Sequence, residues 1–159
     1  MELILPDEAA TTAAGAALAQ SLPDVADRSL LIGLSGELGS GKTTLTRGLL
    51  RALGVTGTIK SPTFTLVEPY ETTRGFVHHL DLYRLGAGTR ELEGLGYRDL
   101  RAMPGLVIVE WPERAGAGLG APDLQITLEH RADGRRMQIE ASTPAGAQWL
   151  AALSRAALR

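Results

Sequence analysis

Ser29-Leu30-Leu31-Ile32-Gly33-Leu34-Ser35 runs without a break into Gly36-Glu37-Leu38-Gly39-Ser40-Gly41-Lys42-Thr43. The first seven residues carry no charge and are apolar almost throughout, as in a strand buried on both faces of a parallel sheet. The next eight fit G-x-x-x-x-G-K-[S/T]. Residues 42–53 then read as a helix, with Leu45, Leu49, Leu50 and Leu53 on one face, Arg47 and Arg51 on the other, and Gly54 as its stop. At this chain's own residue frequencies the eight-residue pattern arises by accident in roughly four per thousand sequences of this length, before the strand–loop–helix context is required. The glycines let backbone N–H groups curl around phosphate oxygens, and the helix that follows points its positive end at them. On this reading Glu37, Leu38, Gly39, Ser40 and Gly41 wrap the phosphates of a nucleotide. Lys42 reaches the β- and γ-phosphates, Thr43 offers its hydroxyl to Mg²⁺, and Thr44 caps the α-phosphate.

Such a loop needs a carboxylate at the end of a neighbouring strand to hold the metal, directly or through water. Two acids qualify. Glu110 ends the apolar run Leu106-Val107-Ile108-Val109, and Trp111-Pro112 break the strand behind it; Asp81 follows Phe76-Val77-His78-His79-Leu80 in a more polar setting. Between them and the loop lies Lys60-Ser61-Pro62-Thr63-Phe64-Thr65. A threonine there suits a switch that senses γ-phosphate and metal, and a plain proline turn entering a strand fits the same residues. Trp111 and Glu113 follow the acidic strand end, which places them on the ligand side of an open α/β sheet. Trp111 is expected either beside the nucleotide or over the core, Arg84 either at a phosphate or in a surface ion pair, and His79 near the reacting phosphate.

Further out, residues 2–5 read as a short strand, and residues 8–22 as an alanine-rich helix with Asp7 as N-cap and Pro23-Asp24 as its stop. Residues 63–70 and 76–82 are expected to form one antiparallel hairpin, and residues 124–130 and 136–141, around Asp133-Gly134, a second. Residues 89–95 and 97–102 read as short helices, 115–122 as a glycine-rich linker, and 145–158 as a terminal amphipathic helix.

The 159 residues suit one domain, residues 1–159, and a 44 % apolar share excludes a disordered tail. The absence of cysteine removes disulfide scaffolds, zinc ribbons and thiol nucleophiles together. The acidic start is too short in apolar residues for a signal peptide, and no segment is long enough to span a bilayer, so a cytoplasmic protein is expected. The net charge is −2, and of sixteen basic residues only Lys42 and Lys60 are lysines. That balance argues against nucleic acid, DNA included, held by counterion release alone. The chain contains no asparagine, so the asparagine–lysine–x–aspartate box that reads guanine is impossible and ATP is the expected nucleotide.

Taken together, the loop continuing as Thr44-Leu45-Thr46-Arg47-Gly48, Lys60-Ser61-Pro62-Thr63-Phe64-Thr65-Leu66-Val67-Glu68, His79-Leu80-Asp81-Leu82-Tyr83-Arg84, Glu91-Leu92-Glu93, Gly96-Tyr97-Arg98-Asp99 and Glu110-Trp111-Pro112-Glu113 resemble the TsaE (YjeE) family of bacterial tRNA threonylcarbamoyladenosine synthesis, over residues 3–128. Phe64 takes a position often held by tyrosine, and His78-His79 doubles a usual single histidine. The resemblance implies a single-domain α/β P-loop fold, with a mostly parallel sheet flanked by helices and extended by antiparallel strands. It implies a weak Mg²⁺-dependent ATPase, releasing ADP, that does not itself transfer the threonylcarbamoyl group. The implied partner is the TsaD–TsaB pair, which modifies the adenosine beside the anticodon of tRNAs reading ANN codons, so that tRNA is met only indirectly. Carried over by residue, it implies Lys42 on the phosphates, Thr43 and Glu110 on Mg²⁺, Asp81 as the second acid, Thr63 in the switch-like segment, and Leu5 and Glu113 near the nucleoside. A small-molecule kinase built on the same phosphate loop is the alternative expectation.

Overall fold

The computed structural model describes residues 1–86 and 89–157. The uncharged run centred on Ile32 forms β2 (Ser29–Ser35), the middle of a seven-stranded mixed sheet. The other strands are β1 (Glu2–Leu5), β3 (Val67–Thr72), β4 (Gly75–Asp81), β5 (Gly105–Glu110), β6 (Leu124–Arg131) and β7 (Gly134–Ala141), in the order β1-β7-β6-β2-β5-β4-β3. β6, β2, β5 and β4 run parallel, while the hairpins β3–β4 and β6–β7 and the β1–β7 pair add antiparallel edges.

Alternation along the parallel strands divides the core into two layers. Leu30, Ile32 and Leu34 of β2, with Leu106 and Ile108 of β5, pack under helices α1 (Glu8–Gln20), α2 (Lys42–Ala52) and α5 (Pro144–Ala157), where Trp149 is fully buried. Leu31, Val107, Val109 and Leu80 face the opposite way, onto α3 (Thr89–Gly94), α4 (Tyr97–Ala102) and a 3₁₀ segment, Pro112–Leu119. No helix among the described residues is long and apolar enough to cross a membrane.

The structure corrects the sequence reading at four places. The first helix stops at Gln20, before the expected Leu22, because the Ser21 hydroxyl and N–H take the carbonyls of its last turn, ahead of Pro23. The third strand begins at Val67, since residues 63–66 form a tight turn closed by the Leu66 N–H on the Pro62 carbonyl, with Leu66 at φ 66°. The expected linker 115–122 is largely the 3₁₀ segment, held by the buried Ala115 and Leu119. The last helix starts at Pro144, and Leu158 lies outside the described residues.

Candidate functional site

The carboxyl ends of β2, β5 and β4 meet at one edge of the sheet. Register sets Leu34 beside Glu110, and Glu110 beside Asp81. Strand alternation turns Glu110, in phase with Leu106 and Ile108, and Asp81, in phase with Val77 and His79, toward the α2 face. Between these acids and the head of α2 lies a cavity of about 250 Å³, opened on by Gly39, Gly41, Lys42, Thr43, Thr44 and Leu38 from the loop side. Asp81, Glu110, Thr63, Ser61, Tyr83 and Trp111 line it as well, with Arg135, whose side chain lies against Gly41 of the loop.

The loop takes this form for a local reason. Gly41 caps α2 from the left-handed region at φ 107°, which a β-carbon disfavours, and its carbonyl accepts the first helical hydrogen bond from the Leu45 N–H. Lys42 follows with only 5 % of its surface exposed. Its Nζ donates to the carbonyls of Gly36 (2.6 Å) and Glu37 (2.9 Å) and sits 4.6 Å from the centre of the Trp111 ring. Burial holds its ammonium below the ordinary lysine value, and the carboxylates of Glu110, Asp81 and Glu113 oppose that shift.

Two carboxylates face the cavity in different company. The Thr43 hydroxyl donates to Oε1 of Glu110 at 3.1 Å, and Nε2 of the fully buried His79 lies 3.2 Å from the same oxygen. Asp81 accepts the hydroxyls of Ser61 (3.3 Å) and Thr63 (3.2 Å) on Oδ2 and the Tyr83 N–H (2.9 Å) on Oδ1. The Ser61 and Thr63 hydroxyl oxygens also lie 2.9 Å from one another, so two protons are shared among three contacts and the residues on either side of Pro62 meet the strand end as a unit.

Most of the residues expected from sequence converge here, and some do not. His79, expected beside the reacting phosphate, is instead behind Glu110: its ring belongs to the strand interior and does not line the cavity. Leu5 is buried in the core beside the site, and its backbone pairs with Arg135 across β1 and β7. Ser40 lies beneath the loop, 3.5 Å from the Lys42 Nζ, and Glu37 contributes its carbonyl while its side chain is exposed. The Glu113 carboxylate accepts the Ser35 hydroxyl at 3.3 Å. Trp111 packs on the outer core layer and also lines the cavity. It does so at φ 58°, an uncommon conformation for a tryptophan. Arg84 lies over the exposed Phe64 ring, 4.3 Å from its centre. Of the other histidines, His78 is buried and His130 exposed. Arg135 and Tyr83 were missed as site residues. The available signal for Arg135 was phase, because it shares strand parity with the buried Met137 and Ile139 and therefore points inward at the end of β7.

The donor set favours a hard cation: one hydroxyl and two carboxylates, all oxygen. Among the described residues no three histidine, cysteine or acidic side chains converge into an all-protein cage. Magnesium suits such a place, since it is held by one or two carboxylates together with phosphate oxygens and water.

Comparison with known proteins agrees with this architecture. The family model described as Threonylcarbamoyl adenosine biosynthesis protein TsaE matches residues 5–138. The tRNA threonylcarbamoyladenosine biosynthesis protein TsaE of Haemophilus influenzae is 36 % identical over 151 residues, covering 94 % of this chain and 95 % of the relative. Its counterpart in Synechocystis is 48 % identical over 118 residues, covering 72 % of this chain and 71 % of the relative. The crystal structure of Bacillus YdiB superposes with a TM-score of 0.81 at 25 % identity, covering 99 % of this chain and 95 % of that one. A phosphate-type loop at the centre of a mixed seven-stranded sheet, and sequence similarity along nearly the whole chain, place the protein in the TsaE family of tRNA threonylcarbamoyladenosine biosynthesis.

Proposed function

We propose that the chain is an Mg²⁺-dependent ATP-binding protein with weak ATPase activity that serves the TsaD–TsaB transferase pair in the cytoplasm, coupling ATP turnover to repeated formation of threonylcarbamoyladenosine on tRNA. The observation that carries this reading is the convergence of Lys42 and Thr43 from the loop with Asp81 and Glu110 from adjacent parallel strands around one cavity. Family membership supports the pathway, and the geometry supports the chemistry.

ATP would lay its phosphates along the loop N–H groups, with the Lys42 ammonium leaving the Gly36 and Glu37 carbonyls to meet them. Thr43 and Glu110 would hold Mg²⁺, with Asp81 as the second acid. When bound, the ion supplies charge neutralisation at the β- and γ-phosphate oxygens. Arg135, whose buried Nε has no hydrogen-bond partner among the described residues, adds a second cation to the cavity wall. Asp81 aligns the attacking water, and the hydroxyls of Ser61 and Thr63 on its Oδ2 tie that water's position to the conformation of the 61–63 segment. A segment held in this way is a natural point for a partner to act on, so hydrolysis is slow until the transferase pair docks.

The test is to titrate purified TsaD–TsaB into the protein with Mg·ATP while following phosphate release and modified tRNA. The proposal expects slow basal release, stimulation by the pair, and more than one modified tRNA per transferase only while ATP is hydrolysed. No stimulation at any ratio would overturn the partner-activated reading. Transfer of the γ-phosphoryl group to a metabolite in place of water would favour the kinase alternative.

A further inference from the structure

We infer that His79 is a positioning residue for the metal-binding carboxylate: by donating from Nε2 to Oε1 of Glu110, it fixes the rotamer in which Glu110 can serve a Thr43-bound cation. This rests on the assignment of Thr43 and Glu110 to Mg²⁺ given above.

His79 has no exposed surface and Glu110 is nearly as buried, with 2 % exposed. An imidazole at this depth needs a reason, because a polar ring without partners is costly inside a core. Its Nδ1 is buried without a hydrogen-bond partner among the described residues, while its Nε2 lies 3.2 Å from Glu110 Oε1. An N–H on Nδ1 would be a donor with no acceptor, so the arrangement that costs least puts the single ring N–H on Nε2, facing the carboxylate. Among the described residues, both hydrogen bonds to the Glu110 carboxylate fall on Oε1, from the Thr43 hydroxyl and from His79. That leaves Oε2 without a protein donor. Thr43 stands in the first turn of α2, at the wall of the cavity, whereas His79 sits on β4, in register with Ile108 of the neighbouring β5. Two donors on one oxygen, one of them from the rigid sheet, prevent the carboxylate from rotating when the Thr43 hydroxyl turns its lone pairs to a cation. The geometry corresponds to the general rule that groups behind a ligand set its orientation and that losing them costs roughly 10–100-fold in metal affinity.

The decisive comparison is His79→Gln against His79→Asn. A glutamine Nε2 reaches the place of the imidazole Nε2, while the asparagine amide is one methylene too short; both keep a polar side chain of similar burial. Mn²⁺ binding to the protein–ADP complex is measured by electron paramagnetic resonance, and ADP binding in EDTA by calorimetry. The expected result is near-native Mn²⁺ affinity for the glutamine variant, a loss of about tenfold or more for asparagine, and metal-free ADP affinity unchanged in both. Equal Mn²⁺ affinity in the two variants, or a parallel loss of metal-free ADP binding, would overturn the positioning role. If asparagine prevents folding, His79→Leu takes its place under the same criteria, and a folded glutamine variant with Mn²⁺ affinity tenfold below native refutes the role by itself. Failure of the native ADP complex to bind Mn²⁺ at all would instead refute the metal assignment on which the role rests.

Discussion

Asp81 and Glu110 are direct register partners at the ends of β4 and β5, yet their carboxylates are fastened to different parts of the molecule. Glu110 is joined to the phosphate loop through Thr43, and Asp81 to the 61–63 segment through two hydroxyls. Adjacent backbone positions thus connect two structural units, which under the proposed function are one that holds the nucleotide and one that responds to it.

The two acids should therefore fail differently. Glu110→Gln keeps the volume but removes the charge offered to the metal, and ATP turnover should fall by roughly 100-fold with exchange in residues 60–66 unchanged. Asp81→Asn weakens the acceptor of the Ser61 and Thr63 hydroxyls, and amide hydrogen exchange in residues 60–66 should speed up several-fold in the nucleotide-free protein. Both variants are read by phosphate release and by hydrogen exchange with mass spectrometry. Faster exchange in the Glu110 variant as well would show that the two units are not separately fastened.

Lys42 offers a prediction in pH. Burial holds its ammonium below the ordinary lysine value of 10.5 in the folded protein. Between that lowered value and 10.5 the unfolded chain binds more protons than the folded one, so this group makes stability rise with pH there. Tyr70 and Tyr97, raised chiefly by burial above the ordinary 10.0, act in the opposite sense at higher pH, because the folded state keeps protons that the unfolded chain has lost. Comparing native protein with Lys42→Met cancels the tyrosines. Urea midpoints measured from pH 8 to 10 should show the native protein gaining on the variant as pH rises; parallel curves would mean that the buried ammonium carries no such penalty.

The fold was legible where one residue pattern had one physical meaning. The run 29–35 admits only a doubly buried strand, and the eight residues after it, with Leu45, Leu49 and Leu50 spaced behind them, admit little but a phosphate loop and its helix. Local competition was not legible. Ser21 ends its helix with its own hydroxyl, and Leu66 turns the chain before the β-rich run begins. Within the site, sequence indicated the two acids because strand ends are visible in hydrophobicity, but it set His79 at the reacting phosphate, whereas the structure has it buried behind Glu110. Only the alternation of β4 against its neighbours sends the His79 ring behind Glu110 and leaves that of His78 on the opposite face. Arg135 depended on long-range pairing: its strand is brought beside the loop through β6 and β2, a relationship that spans the whole chain.

Arg135 gives the third test. Its guanidinium lines the cavity with Nε unpaired among the described residues, whereas its neighbour Arg136 bonds Glu129 on the outer face. Hydrogen bonds to charged groups contribute about 1.5–3 kcal/mol, so Arg135→Gln should weaken ADP binding by about tenfold or more and reduce its salt dependence. Arg136→Gln should leave ADP binding within twofold of native. Calorimetric titrations at two salt concentrations measure both. Equal effects in the two variants would mean that Arg135 acts only through the general field of the hairpin.

The position of the phosphate loop depends on how closely α1 and α2 approach. A β-carbon at Gly48 would fall 2.2 Å from the Thr12 carbonyl oxygen, and one at Gly15 2.1 Å from that of Leu45. Both obstacles are backbone, which cannot rotate out of the way, so the helices can touch only because each presents a glycine to the other. Gly48→Ala gains up to about 1 kcal/mol of helix propensity and must offset it by moving α2. Overpacking of this kind costs about 1–3 kcal/mol. Since Lys42 and Thr43 form the first turn of the helix that moves, ADP affinity should fall together with the urea midpoint. Gly94→Ala, at the end of α3 where an added β-carbon meets nothing within 4 Å, serves as the control and should leave ADP affinity unchanged and the urea midpoint equal or higher. A Gly48 variant that loses stability but binds ADP as tightly as the native protein would show that the loop keeps its geometry independently of the helix contact behind it.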